Sequence, residues 1–357
     1  MAVGTSIGGI AVLGLFVNRW DFDTCKWKLS KLTAEILPRR PSTHPVKGRV
    51  ESMLRYIKYA ACIALQRSFV SGGTIQAVLR QEFGRYGKPQ CTSAVPFLFP
   101  AAQLPGGPLV DGAVTCNNPT RIALQEAKIF WAPEEERNMV LSVGYGAMKT
   151  GQTYQDGPVA ACRASIVESL SAEKQHTDLV LCGHRYVRLN PTLDIDAVQF
   201  DDVGSIPRLQ DSFRSTLAQD VAFAENLRAT SFQLLAAQFY VEIERSSVLH
   251  DGAEGYSASA MIKPRIAVSH LKHLYKHEHF STFRFEVQGR LLTFSMPKKI
   301  TIRVEKAEAT IDIRLKCQTN SAVISGLPAS LEKLERAQSD FYLRKGSRKR
   351  RASRTRG

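Results

Sequence analysis

Two short stretches of this 357-residue chain hold residue types that can do chemistry. The first, Gly4-Thr5-Ser6-Ile7-Gly8, is a G-x-S-x-G pattern followed at once by Gly9-Ile10-Ala11-Val12-Leu13-Gly14-Leu15. Such a pattern puts a serine on a sharp strand-to-helix turn. The hydroxyl of Ser6 then stands exposed, and the N–H of Ile7 points at a developing oxyanion. The turn is crowded, so Gly4 and Gly8 are both expected to supply room by lacking a Cβ. The second stretch runs from Pro108 to Asn118, where a short apolar strand end leads into Asp111-Gly112-Ala113. Taken alone, Asp-Gly is equally a turn pair. A Ser–Asp–His triad is one arrangement to weigh, because the order Ser6, Asp111, then His176 or His184 matches that of α/β-hydrolases. Neither histidine sits in a motif. His270, His273, His277 and His279 have helical spacing, but Lys272 and Lys276 interleave them and no Asp or Cys is near, so this reads as a solvated charged segment. No metal and no cofactor are expected.

Elements must hold these groups in place. Residues 1–17 read as a strand end, an elbow and a helix. Residues 21–37 read as a helix with Trp27, Leu29, Leu32 and Ile36 on one face. Residues 38–48 form a Pro-rich loop, and residues 49–83 carry two helical patterns, Met53–Leu65 and Ile75–Phe83, split by Ser71-Gly72-Gly73. Asn118-Pro119 is a helix start, Asn as N-cap and Pro at the first helical position, with the helix running through Leu124, Ala127 and Phe130. Met139–Val143 reads as a short buried strand ending at Gly144-Tyr145-Gly146. Beyond residue 150 come a helix near 158–172, a strand at Tyr186–Leu189, and helices over 205–236 with a break near Gln219–Val221. Strands follow at Tyr240–Ile243, Ala258–Ile262, Thr282–Val287, Leu291–Phe294 (joined to the preceding strand through Gly289), Thr301–Val304 and Thr310–Leu315. A last amphipathic helix spans 328–343.

Composition bounds the class. Hydrophobic residues at 44% and charged residues at 23% allow a full core. The seven cysteines are scattered without a C-x-x-C pair, which argues against a disulfide framework or zinc knuckle and for a reducing setting. The apolar N-terminal run lacks a basic flank and a small-x-small cleavage pattern, so it does not read as a secretory signal, and it is too short to span a bilayer. The net charge is +15, but eight Lys or Arg lie in residues 344–357, and the other 343 residues carry +7. That tail reads as a disordered basic segment that contacts anionic lipid or the nuclear import machinery; no specific nucleic acid is expected.

Four elements in order resemble the patatin-like phospholipases. Gly4-Thr5-Ser6-Ile7-Gly8-Gly9-Ile10 resembles the family's nucleophile elbow. Thr92-Ser93-Ala94-Val95-Pro96 is similar to its Thr-Ser-Ala-Ala-Pro element. Asp111-Gly112-Ala113, with Asn117-Asn118-Pro119-Thr120 and Ala123-x-x-Glu126-Ala127, is similar to its Asp-Gly-Ala/Gly segment and following helix. Leu141-Ser142-Val143-Gly144-Tyr145-Gly146 resembles its Ser-x-Gly-Thr-Gly strand end, with Tyr145 in place of Thr. Arg188-Leu189-Asn190-Pro191, Phe200-Asp201-Asp202-Val203 and Ile324-Ser325-Gly326-Leu327-Pro328 look like the extension of fungal multi-part members.

The resemblance implies an α/β fold with a three-layer α/β/α patatin-like core over residues 1–150, a C-terminal α+β extension over 151–340, and the basic tail 344–357. It implies a Ser–Asp dyad, Ser6 as nucleophile and Asp111 as its partner, hydrolysing acyl esters of lipids in lipid catabolism. Burial beside apolar residues such as Val110 and Val114 would raise the Asp111 pKa and make it a better base. The implied partners are lipid substrate and a membrane surface, the implied location cytoplasmic or peripheral to intracellular membranes, or nuclear through the tail. The family carries a glycine-rich oxyanion segment with Arg or Lys upstream of the elbow, whereas only Met1-Ala2-Val3 precede Gly4, and a core strand or two are expected between Phe83-Gly84 and Cys91, where six residues intervene. The sequence is therefore expected to be an N-terminally truncated form of a longer enzyme. The alternative is a catalytically impaired relative or fragment that binds lipid or protein.

Overall fold

The computed structural model describes residues 1–36, 72–83, 94, 100–114, 116–130, 139–148, 186–195, 203–244, 249–250, 255–266, 271 and 280–339. The helices expected at Met53–Leu65 and 158–172, most of Thr92–Pro96, His176, His184, the His270–His279 group and the basic tail lie outside these residues. Contacts divide the chain into two units, Met1–Phe223 and Ala224–Gly357. Both mix helices and strands, so the chain is α/β in composition.

In the first unit, α1 (Ile7–Val12) continues directly into one π-helical turn, Leu13–Val17. The chain then turns back into α2 (Phe22–Ile36). Asp21 starts α2 by accepting from the Thr24 N–H at 2.7 Å and the Thr24 hydroxyl at 2.8 Å, which satisfies a donor left orphaned at the helix start. The buried stripe of α2 is Cys25 and Leu32, with Leu29 and Ile36 packed beside them. Trp27 was expected on this stripe but is 59% exposed. It lies two residues from Cys25, about 200° around a 3.6-residue helix, on the opposite face. The next helix, α3, spans Gly72–Phe83, the helix expected from Ile75, and takes in Gly72 and Gly73, which were expected to lie in the break before it. Ile10, Leu32, Leu79 and Phe83 bring α1, α2 and α3 together in a small core, with Trp20 tilted against Phe83 at 5.1 Å. Lys28 and Glu82 pair across α2 and α3.

A short antiparallel hairpin joins β1 (Ala102–Leu104) to β2 (Gly107–Leu109); β2 overlaps the strand end expected before Asp111, while β1 had no counterpart in the sequence expectation. After it come a 3-10 turn at Gly112–Val114 and α4 (Thr120–Phe130). Strand β3 (Val140–Val143) pairs in parallel with β5 (Tyr186–Leu189), and β4 (Ala147–Met148) with β6 (Thr192–Leu193). The Arg188–Pro191 segment, assigned by sequence to the extension beyond residue 150, is thus paired with strands of the first unit, whose contacts extend to Phe223. The strand expected to be buried at Met139–Val143 is buried at Ser142 and 71% exposed at Val143. Helix α5 (Ile206–Gln219) breaks from α6 (Val221–Ala236) at Asp220, whose carboxylate accepts from the Phe223 N–H at 2.9 Å.

The second unit follows the period-2 rule closely. One antiparallel sheet orders β12 (Lys298–Val304), β9 (Tyr256–Pro264) and β7 (Phe239–Ile243), with β8 (Leu249–His250) also on β9. The other orders β11 (Arg290–Thr293), β10 (Arg284–Val287), β14 (Ile313–Cys317) and β15 (Asn320–Val323). Alternate side chains point inward: Phe239, Val241 and Ile243; Ala258, Ala260 and Ile262; Ile300, Ile302 and Val304; Phe285 and Val287; Ile313, Leu315 and Cys317. These form one core, and Phe239 meets Phe285 edge to face at 5.6 Å. The β10–β11 hairpin turns at Gln288-Gly289, both at positive φ as a two-residue hairpin requires. β13 (Thr310–Ile311) pairs with β16 (Ala329–Ser330), and a final helix covers residues 331–339.

Candidate active site

The G-x-S-x-G segment folds as the tight turn its pattern implies. Ser6 immediately precedes α1 with φ 56° and ψ −129°, a conformation that costs a non-glycine residue on the order of 1–3 kcal/mol. The Gly8 N–H bonds the Thr5 carbonyl at 2.9 Å, and the Gly9 and Ile10 N–H groups both reach the Ser6 carbonyl, at 2.9 and 3.4 Å. Among the described residues the Ile7 N–H is given to no acceptor, which leaves it available to an oxygen beside Ser6. The two flanking glycines differ. A Cβ on Gly4 would overlap the Gly8 carbonyl and lie 2.7 Å from the Gly9 nitrogen, so only glycine fits there. Among the described residues a Cβ on Gly8 meets nothing within 4 Å. The crowding is therefore one-sided: Gly4 is compressed against the backbone of the first helical turn, and the expectation that Gly8 supplies the same room is corrected.

Asp111 lies in the same place as Ser6, 105 residues away in the chain. Its side chain is 1% exposed. Its N–H bonds the Ala94 carbonyl at 3.0 Å, and its Oδ1 accepts from the Ala113 N–H at 2.7 Å. Burial pushes the Asp111 carboxyl above its ordinary value; hydrogen bonding from the Ser6 hydroxyl and from the Ala113 N–H pulls it partway back. Among the described residues the buried Oδ2 has no hydrogen-bond partner, so this oxygen faces the site unsatisfied. Val110, expected to help bury this carboxyl, is itself 45% exposed. Gly112 and Ala113 form the turn after the carboxylate, the first two residues of the 3-10 turn.

Behind Asp111 lies a polar network that the residue pattern did not reveal. The buried Asn118 side chain accepts from the Thr120 N–H at 3.2 Å, from the Thr120 hydroxyl, and from the Ser142 hydroxyl at 3.4 Å. Arg188 donates to Ser142 at 2.8 Å, and Asn190 accepts from the Gly146 N–H at 2.9 Å. Asn118 was legible as a helix cap, but its link to Ser142 and onward to Arg188 joins α4 to the parallel strands and has no signature in one sequence. The triad arrangement and the histidine cluster fall on residues outside those described. Among the described residues there is no group of three or more His, Cys, Asp or Glu placed to hold a metal.

The structure therefore brings Ser6, Ile7, Gly4 and the Asp111–Ala113 turn together, and these define a half-buried serine beside a buried carboxylate. No family model matches the chain. The sequence is 29% identical over 119 residues to "Phospholipase A I" of Arabidopsis thaliana, a match covering 32% of this chain and 9% of that protein. The chain is thus distantly related to a phospholipase and matches less than a tenth of its length.

Proposed function

We propose that this chain carries the catalytic centre of a lipid acyl hydrolase of patatin-like type, built on an α/β/α core, with Ser6 as nucleophile and Asp111 as general base. The observation that carries the proposal is the pairing of a serine held at φ 56° with a buried carboxylate whose pKa is raised. A carboxylate at its usual pKa is too weak to take a proton from serine at neutral pH, and desolvation corrects this. In the reaction, Asp111 accepts the Ser6 proton as Oγ bonds the ester carbonyl carbon. The oxyanion develops beside the Ile7 N–H. The carbon–oxygen bond to the leaving alcohol then breaks, the alcohol takes the proton from Asp111, and an acyl-Ser6 remains. Water, deprotonated by Asp111, releases the fatty acid and restores Ser6. The relationship to a phospholipase supports an ester of a fatty acid as substrate, and the basic tail supports work at an anionic membrane surface.

The test is covalent. A fluorophosphonate probe is expected to label the protein at Ser6, located by peptide mass, and to leave Ser6→Ala unlabelled. If the folded protein takes up no probe, or takes it up equally in Ser6→Ala, the hydrolase reading fails and a non-catalytic lipid- or protein-binding scaffold stands in its place.

A further inference from the structure

We propose that Thr5 is a positioning residue whose hydroxyl latches the Ser6 turn onto the Asp111 segment. This deepens the hydrolase reading and rests on the Ser6–Asp111 pair. The Thr5 Oγ1 donates to the Cys116 carbonyl at 3.0 Å, across 111 residues of chain. Cys116 belongs to the turn that begins at the carboxylate: its N–H bonds the Gly112 carbonyl at 2.7 Å, and its thiol donates to the Asn118 carbonyl at 3.1 Å. The accepting carbonyl is therefore fixed from both sides, toward Asp111 and toward the buried Asn118 cap. The Thr5 methyl faces Gly112, 3.6 Å from where a Cβ on that glycine would stand. Thr5 thus bonds the far end of the Asp111 turn by its hydroxyl and turns its methyl toward the near end.

The consequence for Ser6 follows from its backbone. The turn at φ 56° and ψ −129° is strained, and a strained residue persists only when its surroundings over-determine it. The local Gly8-to-Thr5 bond shapes the turn but says nothing about where it lies relative to the carboxylate. The Thr5 side chain does, because it starts one residue before Ser6 and ends on the carboxylate's own turn. Thr5 touches no reacting atom; it acts by setting the separation of the Ser6 hydroxyl and the Asp111 carboxyl.

The test compares Thr5→Val, which keeps the shape and removes the hydroxyl, with Thr5→Ser, which keeps the hydroxyl, in the full chain with circular dichroism as the fold control. The first readout is the rate of fluorophosphonate labelling. Thr5→Val is expected to label about ten- to a hundredfold more slowly, since a misplacement of about 1 Å can cost about 10²-fold, while Thr5→Ser labels at near the parent rate. The second readout needs no catalysis: the pH titration of the Asp111 carboxyl followed by carbon NMR. Ser6→Ala is expected to titrate at higher pH than the parent, because the hydroxyl that lowers it is gone, and Thr5→Val is expected to move toward Ser6→Ala while Thr5→Ser does not. If Thr5→Val matches the parent in the titration, or if Thr5→Ser is displaced as far as Thr5→Val, the latch is overturned. A parent protein that takes up no probe counts against the hydrolase reading, and the titration still decides the latch.

Discussion

The two units of this chain obey different rules. In Ala224–Gly357 local pattern and tertiary packing agree at nearly every strand: alternate residues of β7, β9, β12 and β14 are buried, and their partners face out. Met1–Phe223 breaks local rules at specific points. It holds a serine at positive φ at a helix start, where the second unit's positive-φ Gln288 and Gln318 lie in hairpin turns, together with a buried carboxylate with a raised pKa, a buried asparagine hub, and large exposed apolar side chains at Phe16, Ile129, Phe130 and Val143. Departures from consistency of this kind concentrate where a protein does something other than fold. In the second unit, then, local pattern and packing agree, whereas the first unit's departures include the neighbouring pair Ser6 and Asp111.

The largest effect that would break this comparison is on chemistry. Asp111→Asn keeps the shape and the acceptor for the Ala113 N–H but cannot take a proton, and it is expected to cut ester hydrolysis by at least about 10³-fold, the scale seen when a member of a catalytic unit is removed. Hydrolysis of a chromogenic ester at parent rates in the folded variant would remove Asp111 from the mechanism. The converse substitution lies in the second unit. Phe285→Ala deletes a fully buried ring that packs on Phe239 and Phe294, and is expected to cost about 3–5 kcal/mol in denaturant unfolding. Below the unfolding transition it should leave Ser6 labelling unchanged. Slower labelling there would show that the two units are not separable in function.

Smaller effects sharpen the picture inside the first unit. Gly4→Ala drives a methyl into the Gly8 backbone and is expected to destabilise and to slow labelling, whereas Gly8→Ala, open around its Cβ, is expected to be neutral or stabilising by up to about 1 kcal/mol as a helical Gly-to-Ala change. Equal melting temperatures for the two variants would refute the one-sided crowding. The smallest effect is a linkage. Because the folded pKa of Asp111 lies above its unfolded value, the native state holds the proton to higher pH. The associated stability is present below the ordinary carboxylate range and is lost as pH rises through the raised pKa. Stability of the parent relative to Asp111→Asn is thus expected to fall with rising pH over that window, and parallel pH profiles of the two proteins would contradict it.

Much of the second unit could be read from the chain because a strand with one buried face writes period 2 into its residues, and the Gln288-Gly289 turn and the Asp220 break carry their own local chemistry. The helix at Thr120–Phe130 was legible from Asn118-Pro119 for the same reason: capping is a local event. Trp27 shows where such reading stops. A large apolar residue near a stripe looks like part of it, and only the helical phase set by Cys25 and Leu32 puts it outside.

For the site, the sequence by itself determined the chemical parts. The G-x-S-x-G spacing confines Ser6 to a sharp turn, and Asp111-Gly112 ends a strand in another, because both are properties of consecutive backbone dihedrals. Only the tertiary structure decided that these turns meet, that Gly4 and not Gly8 bears the close approach, and that Thr5 spans from one turn to the other through the Cys116 carbonyl. Contacts between residues 111 positions apart leave no period and no local propensity in the chain. They arise from packing, and the burial that packing imposes is what raises the Asp111 carboxyl above its ordinary value.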